Sequence, residues 1–190
     1  MALHASGIEY ELREVELKNK PACMLRASAK GSVPVLVLPD GTVIDESWDI
    51  MQWALHQNDP DNWLGDEDAH LSTAAQLVHL NDDRFKQYLD RYKYADRYPE
   101  QSREAHREAG MFFLLELEKQ LSETHYLLGG TMSIADAAIF PFIRQFADID
   151  KNWFEQGPCP LLRNWLTAIL NSPRFAAVMQ KHTVWQPNQM

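Results

Sequence analysis

The chain has 190 residues and a formal net charge of −9, which excludes a general phosphate-backbone binder, because such affinity comes from clustered Lys and Arg. A hydrophobic fraction of 45% with six Trp, eight Phe and six Tyr excludes disorder. No apolar run reaches the ~18 residues that span a bilayer, no basic-then-apolar leader is visible, and Cys23 and Cys159 are too isolated for a disulfide framework or a zinc site; the cytoplasm is the expected compartment, with no metal, no membrane and no nucleic acid.

In chain order, Ile8, Tyr10 and Leu12 alternate with charged residues, and the apolar phase then slips by one to Val15 and Leu17. This predicts a strand with an irregularity near Arg13 and Glu14. A short helix is expected over 21–27, with Pro21 in the first turn, where a missing N–H costs least. The segment from Val35 to Leu38 reads as a strand, Pro39-Asp40-Gly41 as a turn and Thr42 to Ile44 as the return strand. A helix over 47–56 follows, burying Ile50, Trp53 and Ala54. Asn58-Asp59-Pro60-Asp61-Asn62 is rich in turn formers. The predicted organisation is a first domain over 1–57, a linker over 58–66 and an all-helical domain over 67–190.

The second half begins with a helix over 70–94, with Leu71, Ala74, Ala75, Val78, Phe85, Leu89 and Tyr92 as its inner stripe, interrupted by Asp82-Asp83-Arg84. The mixed run from Lys86 to Arg97 interleaves acids and bases as a solvated face does. Further helices are expected over 100–121, from Ser133 onward, over 160–171 and over 173–182. Ser133-Ile134-Ala135-Asp136 fits a capping box, a structural device of order 1 kcal/mol, and Pro141 falls inside the helix it opens.

Two features carry chemistry. In Gly31-Ser32-Val33-Pro34-Val35-Leu36, a proline stands at the mouth of a strand. A cis bond there turns the Val33 backbone outward, so that its N–H and C=O are open to an extended peptide. A trans proline opening a strand is the plainer alternative, favoured when the feature is taken alone. In Asp45-Glu46-Ser47, a strand ends and a helix begins, where free N–H groups favour a carboxylate. Ser47 is suited to donate to that carboxylate and Glu46 to pair with an adjacent ammonium, as in an amino-acid head group. Ser47 as a helix cap with Glu46 in solvent is again the plainer alternative.

Taken jointly, this spacing resembles the glutathione-binding half of glutathione transferases, a thioredoxin-like domain. The likeness is nearest to the omega class and related bacterial proteins, through Leu17-Lys18-Asn19-Lys20-Pro21, Gly31 to Leu36 and Asp40-Gly41 to Glu46-Ser47. Gly130-Thr131-Met132-Ser133-Ile134-Ala135-Asp136-Ala137-Ala138 resembles the folding signature of the family's helical domain. The resemblance implies an α+β thioredoxin-like domain followed by an all-α bundle. It implies that Val33 and Pro34 hold the cysteinyl backbone of glutathione, Glu46 and Ser47 its γ-glutamyl end, and Lys20 its glycine carboxylate.

In that family a first strand and a loop bearing the catalytic Cys, Ser or Tyr precede the first helix. Met1 to Gly7 reads as the end of that helix, closed by glycine, so the resemblance places strand, loop and catalytic residue ahead of Met1, and no catalytic residue is assigned. The implied function is thiol transfer, deglutathionylation or conjugation, with glutathione as cosubstrate and a small hydrophobic or thiol-containing acceptor near Phe85, Tyr88 and Tyr92. The family also suggests a homodimer. The rival expectation is a transferase-like binding or interaction module without turnover.

Overall fold

A computed structural model describes residues 1–186 and divides the chain into two compact units, Asn62–Phe175 and a unit comprising Met1–Asp61 with the tail from Ala176. The sequence reading assigns that tail to the helical domain, whereas here it groups with the first unit.

The first unit opens with α1 (Ala2–Ser6), which ends at Gly7 with φ 67°, a left-handed conformation that glycine adopts without steric penalty. Next come α2 (Ala22–Ala27), β1 (Leu36–Val37), β2 (Val43–Ile44) and α3 (Ser47–Gln57). The strands pair antiparallel, Leu36 opposite Ile44 and Val37 opposite Val43. Leu38 N–H donates to Thr42 across the turn, and Asp40 takes the Thr42 N–H at 2.9 Å. The core of this unit is the face where α1 packs on α3, through buried Ala2, Ala5, Ile50, Ala54 and Leu55. Asn58 Nδ2 donates to Ser6 O at 2.7 Å and ties the two helix ends together.

The strand expected over 8–17 is not formed. Among the described residues its one ladder contact is an isolated parallel bridge from Glu14 to Val184, with Trp185 N–H donating to Glu14 O at 2.8 Å. A strand exists only by pairing, and the described residues supply no second neighbour to this segment. Tyr10, Leu12 and Leu17 are consequently exposed.

The second unit is helical: α4 (Asp68–Leu80), α5 (Lys86–Lys93), α6 (Arg103–Leu121), α7 (Ile134–Ile149), α8 (Lys151–Gln156) and α9 (Pro160–Leu170), with α10 (Pro173–Val178) following. The single helix predicted over 70–94 is divided by a π-helical turn, Asn81–Phe85. That turn contains the Asp82-Asp83-Arg84 interruption and keeps it outward, with Asp83 on His79 at 2.9 Å and Asp82 on Lys86 at 2.8 Å. Asn81, Phe85, Leu89 and Tyr92 stay on the buried side. Phe85 meets Phe113 at 4.8 Å and Phe146 at 5.5 Å between ring centroids, and Tyr92 meets Phe146 at 4.9 Å. Such ring pairs contribute about 0.5–1.5 kcal/mol each beyond area burial. Helix α8 escaped the sequence reading, although its cap is legible as Asp150, whose carboxylate takes the Trp153 N–H at 3.0 Å.

At the start of α7 the capping box forms around Asp136. Its carboxylate accepts from Ser133 N–H at 2.8 Å, Ser133 Oγ at 2.6 Å, Leu127 N–H at 3.0 Å and Trp165 Nε1 at 2.7 Å. Burial pushes its pKa up from the ordinary carboxylate value, against these hydrogen bonds. Trp63 O accepts from Ile134 N–H at 3.0 Å and fastens residue 63 to the same helix start.

Candidate functional site

The site is built on the first unit, where two short segments meet. The turn 28–31 and the loop 45–46 are held together by Ser28 Oγ, which donates to Asp45 Oδ2 at 2.7 Å, and by Lys30, whose ammonium pairs with Asp45 at 3.1 Å and with Glu46. Ser28 is buried, while Lys30 and Glu46 are exposed. The Ser28 hydroxyl, then the Lys30 ammonium, hold the Asp45 carboxyl below the usual carboxylate range. Glu46 and Asp45 in turn raise Lys30 above an ordinary lysine. Gly31, at φ 60°, closes the turn by donating to Ser28 O at 3.1 Å.

This clasp connects the segments that carry the predicted ligands. Three residues beyond Lys30, the Val33–Pro34 bond is cis, so the trans alternative is set aside. Val33 is 45% exposed, and its N–H and C=O have no hydrogen-bond partner among the described residues. On the other side, Glu46 is the N-cap of α3 with no side-chain capping bond, and Ser47 is the first helical residue. The reading of Ser47 as the cap is thereby corrected. The first partnered N–H of α3 is that of Ile50, which donates to Glu46 O at 3.0 Å. Those of Ser47, Trp48 and Asp49 have no partner among the described residues, as expected of a helix start that awaits an acceptor.

Lys20 is half-buried just before α2, and no hydrogen bond or ion pair among the described residues ties it to the clasp. Of the aromatic residues named for an acceptor, Phe85 and Tyr92 lie inside the core of the second unit, 0% and 1% exposed. Tyr88 is half-buried and packs edge-on to Phe112 at 5.8 Å. Neither cysteine lies in the clasp. Cys23 is half-buried in α2; Cys159 is buried, its thiol pushed up to about 11 by burial and by Glu118. Among the described residues no three His, Cys, Asp or Glu side chains group to hold a metal. No helix among them is long and apolar enough to cross a membrane.

Sequence reasoning missed Ser28 and Lys30, and it named Asp45 only as part of the Asp45-Glu46-Ser47 helix start, with no role of its own. The only signal was a lone lysine before Gly31 in reach of an acidic pair, which pattern alone does not bring together across a hairpin.

Residues 1–57 match the family model for the glutathione S-transferase N-terminal domain, and residues 100–168 match that for the glutathione S-transferase C-terminal domain. Together these cover more than half of the chain, in the family's order. The chain belongs to the glutathione transferase superfamily. The chain is 24% identical over 178 residues to pig (Sus scrofa) glutathione S-transferase omega-1, covering 94% of this chain and 73% of that protein. Glutathione transferase Omega 3C from Trametes versicolor superposes with a TM-score of 0.79 at 18% identity, over 96% of this chain and 82% of the other. Glutathione transferase URE2P6 from Phanerochaete chrysosporium, solved with oxidised glutathione, gives 0.78 at 20% identity, over 93% and 86%. The thioredoxin-like first domain and helical second domain expected from sequence are therefore this chain's fold.

Proposed function

We propose that this transferase binds glutathione on the first unit and uses it, as an omega-like cytoplasmic homodimer, for thiol transfer, deglutathionylation or conjugation to a small electrophile. The observation that carries the reading is the pair of open backbone edges, at Val33 and at the first turn of α3, joined by the Ser28–Lys30–Asp45–Glu46 clasp. The Val33 N–H and C=O suit the cysteinyl residue of an extended tripeptide. The free N–H groups of α3 and the Ser47 hydroxyl suit its γ-glutamyl carboxylate. Asp45 and Glu46 suit the adjacent ammonium, which shares them with Lys30, and Lys20 suits the glycine carboxylate. Tyr88, the partly accessible member of the aromatic trio, is the residue retained for the acceptor.

A non-catalytic binding module is the second reading. It is favoured by the placement of the cysteines, one deep in the helical unit with its thiol protonated at neutral pH and neither in the clasp. Conjugation to a halogenated dinitrobenzene and thiol transfer from a glutathionylated peptide, each with glutathione titrated, separate the two. Turnover in either assay that saturates with glutathione supports the enzyme; binding with no turnover in both assigns the module.

A further inference from the structure

Three carboxylates crowd the start of α3: Asp45 just ahead of it, Glu46 at the N-cap and Asp49 in the first turn. The N–H groups of Ser47, Trp48 and Asp49 have no partner among the described residues, and the helix dipole draws a nearby carboxylate towards them. An N-cap side chain ordinarily accepts from the second or third N–H of its helix, here that of Trp48 or Asp49. Glu46 makes no such bond. The turn is open although acids surround it.

The acids are held from across the hairpin. Ser28 is the C-cap of α2, its N–H bonded to Met24 O at 2.9 Å, and Gly31 at φ 60° closes the turn behind it. From that fixed turn Ser28 Oγ donates to Asp45 Oδ2 at 2.7 Å and Lys30 Nζ to Asp45 Oδ1 at 3.1 Å, so both oxygens of Asp45 are engaged. Lys30 also donates to Glu46 Oε1, whereas Glu46 Oε2 has no partner among the described residues. No other cation among the described residues pairs with either acid. Lys30 is therefore the one side chain that ties Glu46 to the clasp, and Glu46, exposed and otherwise unrestrained, is the acid best placed to fall onto α3 without it.

We propose that Lys30 is a positioning residue of this site: by holding Glu46 beside Asp45 it stops Glu46 from capping α3 and keeps the first turn open to the carboxylate of a γ-glutamyl head group, with Glu46 Oε2 left for the ammonium. The identity of that ligand rests on the glutathione reading; the competition between Glu46 and an external carboxylate for the same N–H groups does not. Lys30 thereby sets the preference of the site for a zwitterionic head over one that carries the ammonium alone.

Two measurements on the full chain test this. Without ligand, amide hydrogen exchange at Trp48 and Asp49 is compared in the parent, Lys30→Met and Lys30→Arg. Fast exchange is expected in the parent and in Lys30→Arg, and slower exchange in Lys30→Met, where Glu46 is released onto the helix; a fold defect would speed exchange instead. Calorimetry then compares glutathione with γ-aminobutyryl-cysteinyl-glycine, which keeps the ammonium and lacks the carboxylate. The preference for glutathione over this peptide is expected to fall by about fivefold in Lys30→Met, the equivalent of displacing one helix cap, and to be restored in Lys30→Arg. An unchanged preference in Lys30→Met, or exchange that is not slowed, overturns the proposal. No binding of glutathione to the parent overturns the glutathione reading instead, and the exchange rates then decide whether Lys30 restrains Glu46.

Discussion

Asp136 is the residue on which the helical unit leans most. It is fully buried and accepts four hydrogen bonds, from residues before α7, at its start and on α9. Asp136→Ala strands the Leu127 and Trp165 donors, so unfolding by denaturant is expected to show a loss of about 3–5 kcal/mol. Cys159 behaves oppositely to a catalytic thiol. With its folded pKa raised to about 11, its contribution to stability is present below the unfolded value near 9 and disappears as pH rises through about 11. At neutral pH iodoacetamide is expected to leave Cys159 unmodified in the native protein and to react with it after denaturation. Asp45 has the reverse sign, because its pKa is lowered by Ser28 and Lys30. Its contribution is present above the unfolded carboxylate range and is lost as pH falls through the folded value. Ser28→Ala is expected to move the Asp45 midpoint up towards an ordinary aspartate in a carboxyl-carbon NMR titration, and an unmoved midpoint would remove Ser28 from the clasp.

At the scale of elements, Gly110 shows how closely α6 packs. A Cβ there meets Phe146 Cε2 at 3.0 Å and Phe85 Cε2 at 3.6 Å, both rings of the core cluster. Gly110→Ala gains about 1 kcal/mol in helix propensity but overpacks a filled core at about 1–3 kcal/mol. A lower midpoint in denaturant is expected, with unchanged helix content by circular dichroism. Helices α3, α6, α7 and α9 were legible from sequence because period, caps and breakers agree there, as at Ser133 and Gly129-Gly130. Where they disagree, legibility ends: Asp82-Asp83-Arg84 breaks the apolar period, yet the helix continues by taking a π turn that holds Phe85 inward. The 8–17 segment shows the opposite failure. Its alternation is that of a strand, but alternation reports a face and not a partner, and among the described residues pairing here is limited to Glu14 with Val184.

For the whole molecule, the site was legible to the extent that local backbone geometry writes it. The cis Val33–Pro34 bond and the Glu46-Ser47 helix start are local; the sequence located the helix start and raised the cis bond only as an alternative to a plainer trans proline. The clasp is not local: Ser28 and Lys30 reach Asp45 and Glu46 across 15 to 17 residues, and Phe85 and Tyr92 became core through contacts with α6 and α7. The central claim is that these open backbone edges bind glutathione. Isothermal calorimetry of the full chain with reduced glutathione tests it most directly. The account predicts one saturable site that Ser47→Ala weakens by about tenfold, the loss of one charge-assisted hydrogen bond, with a further weakening in Lys20→Ala. No saturable heat, or equal affinity in the parent and both variants, contradicts it.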